Sequence, residues 1–280
     1  MTLLQALILG TIQGLTEFLP VSSSAHLVLF QNLLGLHDPM LAFDVTVHGG
    51  TLLAIFLYYR RDISGMIGDT FFYLAGFFSA RDRGPLLERT PSARLAGFVI
   101  LASIPTGIIG LALKDFFESL FASVSAVGVA WVIMSVPLML SQKFQRGTKR
   151  LDQMSRADAL CVGLAQGVAI VPGISRSGST ILGGMWRGVE PKEAARFSFW
   201  VAIPAILGAG ILEMKEAIHL FRANAPVLVA GFASSAVVGY LSIALLLRLI
   251  QRGKFFLFGF YCLAIGIFAL LYGHRLASGA

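Results

Sequence analysis

The sequence predicts an all-α polytopic membrane protein: an inverted-topology repeat with six transmembrane helices and two re-entrant helix-loop-helix segments. Three observations predict it. Of 280 residues, 56% are hydrophobic and 13% charged, with a mean hydropathy of +0.78, whereas about one residue in four is charged in an ordinary soluble domain. Residues 6–29 recur without a gap as residues 159–182, with identities at Ala6/Ala159, Leu7/Leu160, Gly10/Gly163, Gln13/Gln166, Gly14/Gly167, Ser22/Ser175 and Ser24/Ser177. Basic residues, finally, gather in a few loops.

The elements follow in order. An apolar run breaks at Pro20 into Ser22-Ser23-Ser24 and then resumes, so residues 3–34 read as a re-entrant pair of half-helices. Apolar stretches at 43–59, 95–113 and 122–141 approach the roughly 20 residues that cross a hydrocarbon core and complete a first repeat, 1–142. A basic linker, 143–156, leads to a second broken segment, 157–188, around Pro172-Gly173. Spans at 197–212, 226–247 and 255–273 complete a second repeat, 157–280. Weaker matches extend the duplication: Phe43–Ala54 with Phe197–Gly208, Leu95–Phe98 with Val229–Phe232, and Gly128 with Gly259. A broken segment that enters and leaves by one side adds no crossing. Each half then crosses three times, and an odd number inverts the second half relative to the first.

Charge orients the chain. Lys and Arg number 22 against 15 Asp and Glu, a formal net charge of +7. The basic residues crowd the first long loop (Arg60, Arg61, Arg81, Arg83, Arg89, Arg94), the linker (Lys143, Arg146, Lys149, Arg150, Arg156) and a late turn (Arg248, Arg252, Lys254). All three fall on one side of this topology, which makes that side cytoplasmic and makes nucleic acid an unneeded explanation. The opposite loops hold Lys114 beside Asp115 and Glu118, and Lys215 and Arg222 among Glu213, Glu216 and His219. The first long loop, with Phe71-Phe72-Tyr73 and Phe77-Phe78, reads as partly an interfacial helix. Cys161 and Cys262 lie in apolar helical runs and read as packing residues. The N-terminus lacks a basic region and a small-residue cleavage site, so no removal of a leader is expected.

Chemistry collects at the two breaks. Unwound backbone at membrane depth is tolerated only inside protein or beside a wet cavity. Free N–H groups at half-helix N-termini favour anions. Gly173 and Gly178 would let backbone approach an anion closely. Ser175, Ser177, Ser179 and Thr180 supply hydroxyls, and Arg176 a planar fork suited to phosphate oxygens. Glu17, near the equivalent turn of the other half, is the natural partner of Arg176, whether as a structural ion pair or as part of a site. Gln13 and Glu17 share a helix face and offer oxygen ligands to Mg2+ or Ca2+, with the metal bridging substrate and protein. Ile170 stands where the repeat would place a second Glu17. Ser23 aligns with Arg176 and is the candidate nucleophile; His26 can act on the proton or on phosphate. Asp44 and His48 form another i, i+4 pair, either an interfacial pair or a second layer behind the site.

These residues resemble the undecaprenyl-diphosphate phosphatases of the bacitracin-resistance type. One family motif, an E/Q-x-x-x-E helix running into LPVSSxxH, stands as residues 13–26; the other, PGxSRSxxT, as residues 172–180. The resemblance covers essentially the whole chain, and Gln13 departs from a two-carboxylate site. It implies removal of the terminal phosphate from undecaprenyl diphosphate, regenerating the carrier for peptidoglycan synthesis and conferring bacitracin resistance. It also implies a divalent cation, the bacterial inner membrane and a site reached from the periplasm. The expected assignments are Ser23, His26, Glu17 and Arg176 as catalytic residues. Gly173, Ser175, Arg176, Ser177, Gly178 and Thr180 bind substrate, and Glu17 and Gln13 hold metal. The expected partners are the polyprenyl diphosphate and the bilayer, with no nucleic acid and with a second copy of the chain as a further candidate. Two alternatives stay open: direct attack by a metal-activated water in place of Ser23, and a transporter or flippase of the lipid carrier in place of an enzyme.

Overall fold

A computed structural model describes residues 1–36, 40–79, 90–121 and 123–278. Among the described residues helices are the only extended regular structure, with one isolated bridge pairing Lys149 and Val189. Arg81, Arg83 and Arg89 of the first basic cluster lie outside the described residues.

The first helix, α1 (Leu3–Phe18), starts at a capping box between Thr2 and Gln5 and ends before Pro20. After the turn 19–22, α2 (Ser23–Leu33) packs back on it. Three long apolar helices follow: α3 (Leu41–Tyr58), α5 (Pro91–Ala112) and α7 (Val124–Met139), the last prolonged by a 3-10 turn to Phe144. Between α3 and α5 lies α4 (Arg60–Ser79), which leaves Ile67, Phe71 and Phe72 exposed. A short helix that sequence reading did not foresee, α6 (Lys114–Phe121), joins α5 to α7.

The second half repeats the pattern: α8 (Arg156–Val168), a turn through Gly173, and α9 (Arg176–Trp186), again packed on each other. Residues Pro191–Gln251, α10, are helical throughout. This run is not one straight rod, because Phe18 touches both Phe199 and Gly239. Forty residues of straight helix would separate those two by about 60 Å. The run therefore doubles back between two apolar arms, Pro191–Ile211 and Ala225–Gln251. The expected turn residues Glu213, Lys215, Glu216, His219 and Arg222 fall between these arms, and their side chains lie outside the described residues. The last helix is α11 (Leu257–Ser278).

Among the described residues, five helical segments are long and apolar enough to cross a membrane; Leu3–Phe18 and Leu257–Gly273 are apolar but shorter. Large apolar side chains such as Ile100, Ile108, Leu111, Leu241 and Leu271 are exposed, which suits a surface solvated by lipid. The protein is thus an all-helical, multi-pass membrane protein.

Packing positions the breaks. A Cβ on Gly10 would run into Gly231 and Ser234 of the second α10 arm, and one on Gly163 into the Ala102 backbone of α5. The helix α1 so lies directly against the second α10 arm, and α8 against α5. Small residues allow that approach where no hydrophobic force drives helices together in lipid. The linker is fixed as well. Asp158, fully buried at the N-terminal turn of α8, completes a capping box with Ser155 and pairs with Lys149 (2.9 Å) and Arg187 (2.8 Å). Cys161 and Cys262 are free thiols, the second fully buried against the Pro20 carbonyl.

Candidate active site

The two turns meet. Ser22 takes a positive φ of 66° and makes no side-chain cap for α2; its hydroxyl instead accepts the Gly173 N–H at 3.2 Å. Ser177 donates to the Leu19 carbonyl at 3.0 Å, and Trp131 of α7 donates to the Val21 carbonyl at 2.7 Å. A non-glycine residue at positive φ is a cost that surrounding contacts must hold in place.

Ser23 and Arg176 are the first residues of α2 and α9. Two helix N-termini, with their unpaired N–H groups and positive dipole ends, thus converge on one region, an arrangement that favours an anion. Between them stands Glu17, the last turn of α1, with its side chain almost entirely buried. Its Oε1 accepts from Arg176 Nη2 at 2.5 Å, and its Oε2 accepts from Ser23 Oγ at 2.5 Å and from Gln13 Nε2 at 2.9 Å. One carboxylate therefore joins three residues of interest and compensates a guanidinium buried at a site where an unpaired charge would be costly.

Two buried polar atoms of this cluster have no partner among the described residues: Arg176 Nη1 and Gln13 Oε1. Buried polar groups are nearly always satisfied, so the unpaired donor of Arg176 and the unpaired acceptor of Gln13 are the groups of this cluster left for a ligand. For a divalent ion, Gln13 Oε1 and the Glu17 carboxylate are the available oxygens. Among the described residues no group of three His, Cys, Asp or Glu side chains forms a closed cage. The pair fits Mg2+, commonly held by one or two carboxylates together with substrate phosphates.

The remaining expected residues hold the turns. Ser175 caps α9 by accepting the Gly178 N–H, and Thr180 bonds to the Arg176 carbonyl and to Ser198 of α10. The Gly173 N–H is taken by Ser22, and Gly173 has φ +102° with α7 against its Cα; Gly178 packs beside Met134 and Pro20. The backbone of both glycines is thus engaged in protein contacts.

The His26 ring is hydrogen-bonded to groups other than Ser23. Its Nδ1 lies 2.7 Å from the Ser22 carbonyl, and a carbonyl can only accept, so Nδ1 carries the proton. Its Nε2 lies 2.8 Å from the Tyr261 hydroxyl, and the ring is enclosed by Trp131 and Tyr261. His48 approaches the cluster from α3, its Nε2 3.6 Å from Glu17 Oε2 and its Nδ1 on the Asp44 carbonyl. Sequence reading named Asp44 and His48 but missed Tyr261 and Trp131. Nothing distinguishes these two aromatics in apolar helices until the helices are packed together.

A profile of the bacitracin resistance protein BacA family matches residues 6–268. The chain is 40% identical over 273 residues to the undecaprenyl-diphosphatase of Desulforapulum autotrophicum, covering 98% of this chain and 99% of that one. It is 43% identical over 270 residues to the undecaprenyl-diphosphatase of Methanosphaera stadtmanae (96% and 97% covered). To that of Carboxydothermus hydrogenoformans it is 39% identical over 271 residues (95% and 96% covered).

Proposed function

The chain belongs to the bacitracin resistance protein BacA family, and we infer from this that it hydrolyses undecaprenyl diphosphate to undecaprenyl phosphate and inorganic phosphate, at the cluster where Glu17 joins Ser23 to Arg176. It is an undecaprenyl-diphosphatase that recycles the lipid carrier for peptidoglycan synthesis, in a family whose name records bacitracin resistance.

The observation that carries the assignment of residues is the shared carboxylate. The terminal phosphate lies between the two helix N-termini, with Arg176 Nη1 donating to its oxygens as charge develops there. Ser23 Oγ attacks phosphorus in line and passes its proton to Glu17, the carboxylate that already accepts its hydrogen bond. The bond to the bridging oxygen breaks and undecaprenyl phosphate leaves. Water then cleaves the phosphoserine, releasing inorganic phosphate and restoring Ser23. Gln13 Oε1 and the Glu17 carboxylate would hold a divalent ion, which would supply neutralisation of the developing charge. His26 serves as a positioning residue here. Its hydrogen bond to the Ser22 carbonyl and its contact with Tyr261 hold the strained turn that presents Ser23.

The architecture in this reading has six crossings, the five long segments and α11, and two re-entrant pairs in an inverted repeat. What supports it is length and packing. With 16 and 13 residues, α1 and α8 reach only about 24 and 20 Å of a roughly 30 Å core, and each is followed by a helix packed back upon it. The basic linker marks the cytoplasmic side of the bacterial inner membrane, and the site opens to the periplasm.

The test is phosphoserine at residue 23. Purified protein given 32P-labelled undecaprenyl diphosphate in detergent and quenched with acid should carry label on Ser23. Full turnover by Ser23→Ala would transfer the attack to water.

A further inference from the structure

Arg176, Ser179, Leu182 and Trp186 follow one another at helical spacing along α9 and lie on one face. All four keep some exposure, whereas Ser177, Gly178, Thr180 and Ile181 between them are buried. From Ser179, one turn beyond Arg176, a groove of about 680 Å³ runs along this face between α9, α8 and the end of α7. Its floor holds small side chains, Cys161, Ala165 and Gly183, and its rims larger ones, Leu140, Leu164 and Trp186. Among the described residues that line it, none is charged. Its far end lies beside the basic linker.

We propose that this groove takes the polyprenyl chain of the diphosphate substrate, so that the tail leaves the site toward the linker side of the membrane. The proposal rests on Arg176 holding the terminal phosphate. Ordinary acyl chains cover a convex apolar surface equally well anywhere on the protein. A concave apolar path that starts one helical turn from a phosphate-gripping guanidinium suits a chain that itself begins at a diphosphate. A 55-carbon chain whose head is held between the broken turns is too long for the remaining thickness of one leaflet, so a route past the turns into the opposite half fits its length.

Cys161 on the groove floor is a built-in probe, and the fully buried Cys262 stays silent. Wild-type protein in phosphatidylglycerol nanodiscs, cooled to slow turnover, is alkylated with N-ethylmaleimide. Undecaprenyl diphosphate should slow modification of Cys161 at least fivefold, and inorganic diphosphate should not. Equal rates with and without the prenyl lipid overturn the proposal and leave the groove to ordinary phospholipid. As a second arm, Ala165→Trp, which fills the groove midway, should raise KM for undecaprenyl diphosphate at least tenfold with kcat within twofold; an unchanged KM overturns it. Arg176→Ala separates the two ideas. If it releases phosphate normally, the assignment of the phosphate site fails. If release is lost while Cys161 stays unprotected in the wild type, only the groove fails.

Discussion

Arg176 and Glu17, 159 positions apart, form a buried ion pair in which Nη2 donates to Oε1 at 2.5 Å while Nη1 is left without a partner among the described residues. The guanidinium is thereby fixed by one edge, and in the proposed mechanism the other edge meets the phosphate. A planar fork can divide its donors in this way, and an ammonium cannot. Arg176→Lys should therefore fold and keep its charge, yet lose phosphate release by roughly 10²-fold. Glu17→Gln, which removes the negative charge beside the guanidinium and the proposed base of Ser23, should lose at least as much. Release from undecaprenyl diphosphate with added Mg2+ measures both; activity of the Arg176→Lys variant within threefold of wild type would place the phosphate elsewhere.

Among the described residues, Tyr261 meets the site through His26. Tyr261→Phe removes one hydrogen bond from Nε2 and should cost about 1 kcal/mol of stability with kcat reduced less than tenfold. His26→Ala, which also frees the Ser22 carbonyl and empties the space beside Trp131, should lose far more activity. His26→Gln should restore part of it if the histidine holds the turn, and none if it carries the proton. Thermal unfolding in detergent and steady-state release separate these outcomes.

Asp158 lies outside the long apolar helices, at the mouth of α8. Burial alone would raise its carboxyl pKa, but hydrogen bonds from Lys149, the Ser155 backbone and Arg187 prevail and hold it down at about 2, against an ordinary 3.8. A depressed value in the folded state means that the contribution is complete above the unfolded value and disappears as pH falls toward 2; it amounts to about 2 kcal/mol. Asp158→Asn should lower the melting temperature in detergent by several degrees. The difference from wild type should stay constant between pH 5 and 8 and shrink below pH 4. A difference that grows on acidification would contradict the ion triad.

Gly163 allows α8 to lie against the backbone of Ala102, where a Cβ has no room. Gly163→Ala should therefore destabilise by roughly 1–3 kcal/mol through overpacking. Gly97→Ala, where the same atom would meet nothing within 4 Å, should be neutral. Comparing melting temperatures of the two variants checks the packing of the half-helix on the other repeat.

Much of this protein was legible in one dimension. Composition and the length of apolar runs determined a multi-pass helical protein, because lipid leaves backbone groups no other partners than their own helix. The ungapped repeat, with Pro and Gly at matching places, located both breaks and gathered Gln13, Glu17, Ser23, His26 and Arg176 as candidates. Local rules act within a few residues, and these features are local. Only the tertiary structure decided which of them meet. It put Glu17 between Ser23 and Arg176, turned His26 toward Tyr261 instead of Ser23, joined the turns through Ser177 and the Gly173 N–H, and engaged Ser175, the Gly178 N–H and Thr180 in contacts within α9 and to α10. It also buried a carboxylate, Asp158, against Lys149 of the basic linker. Partners 6 to 235 positions apart are brought together by helix packing, and helix packing depends on shapes that no short window of sequence contains.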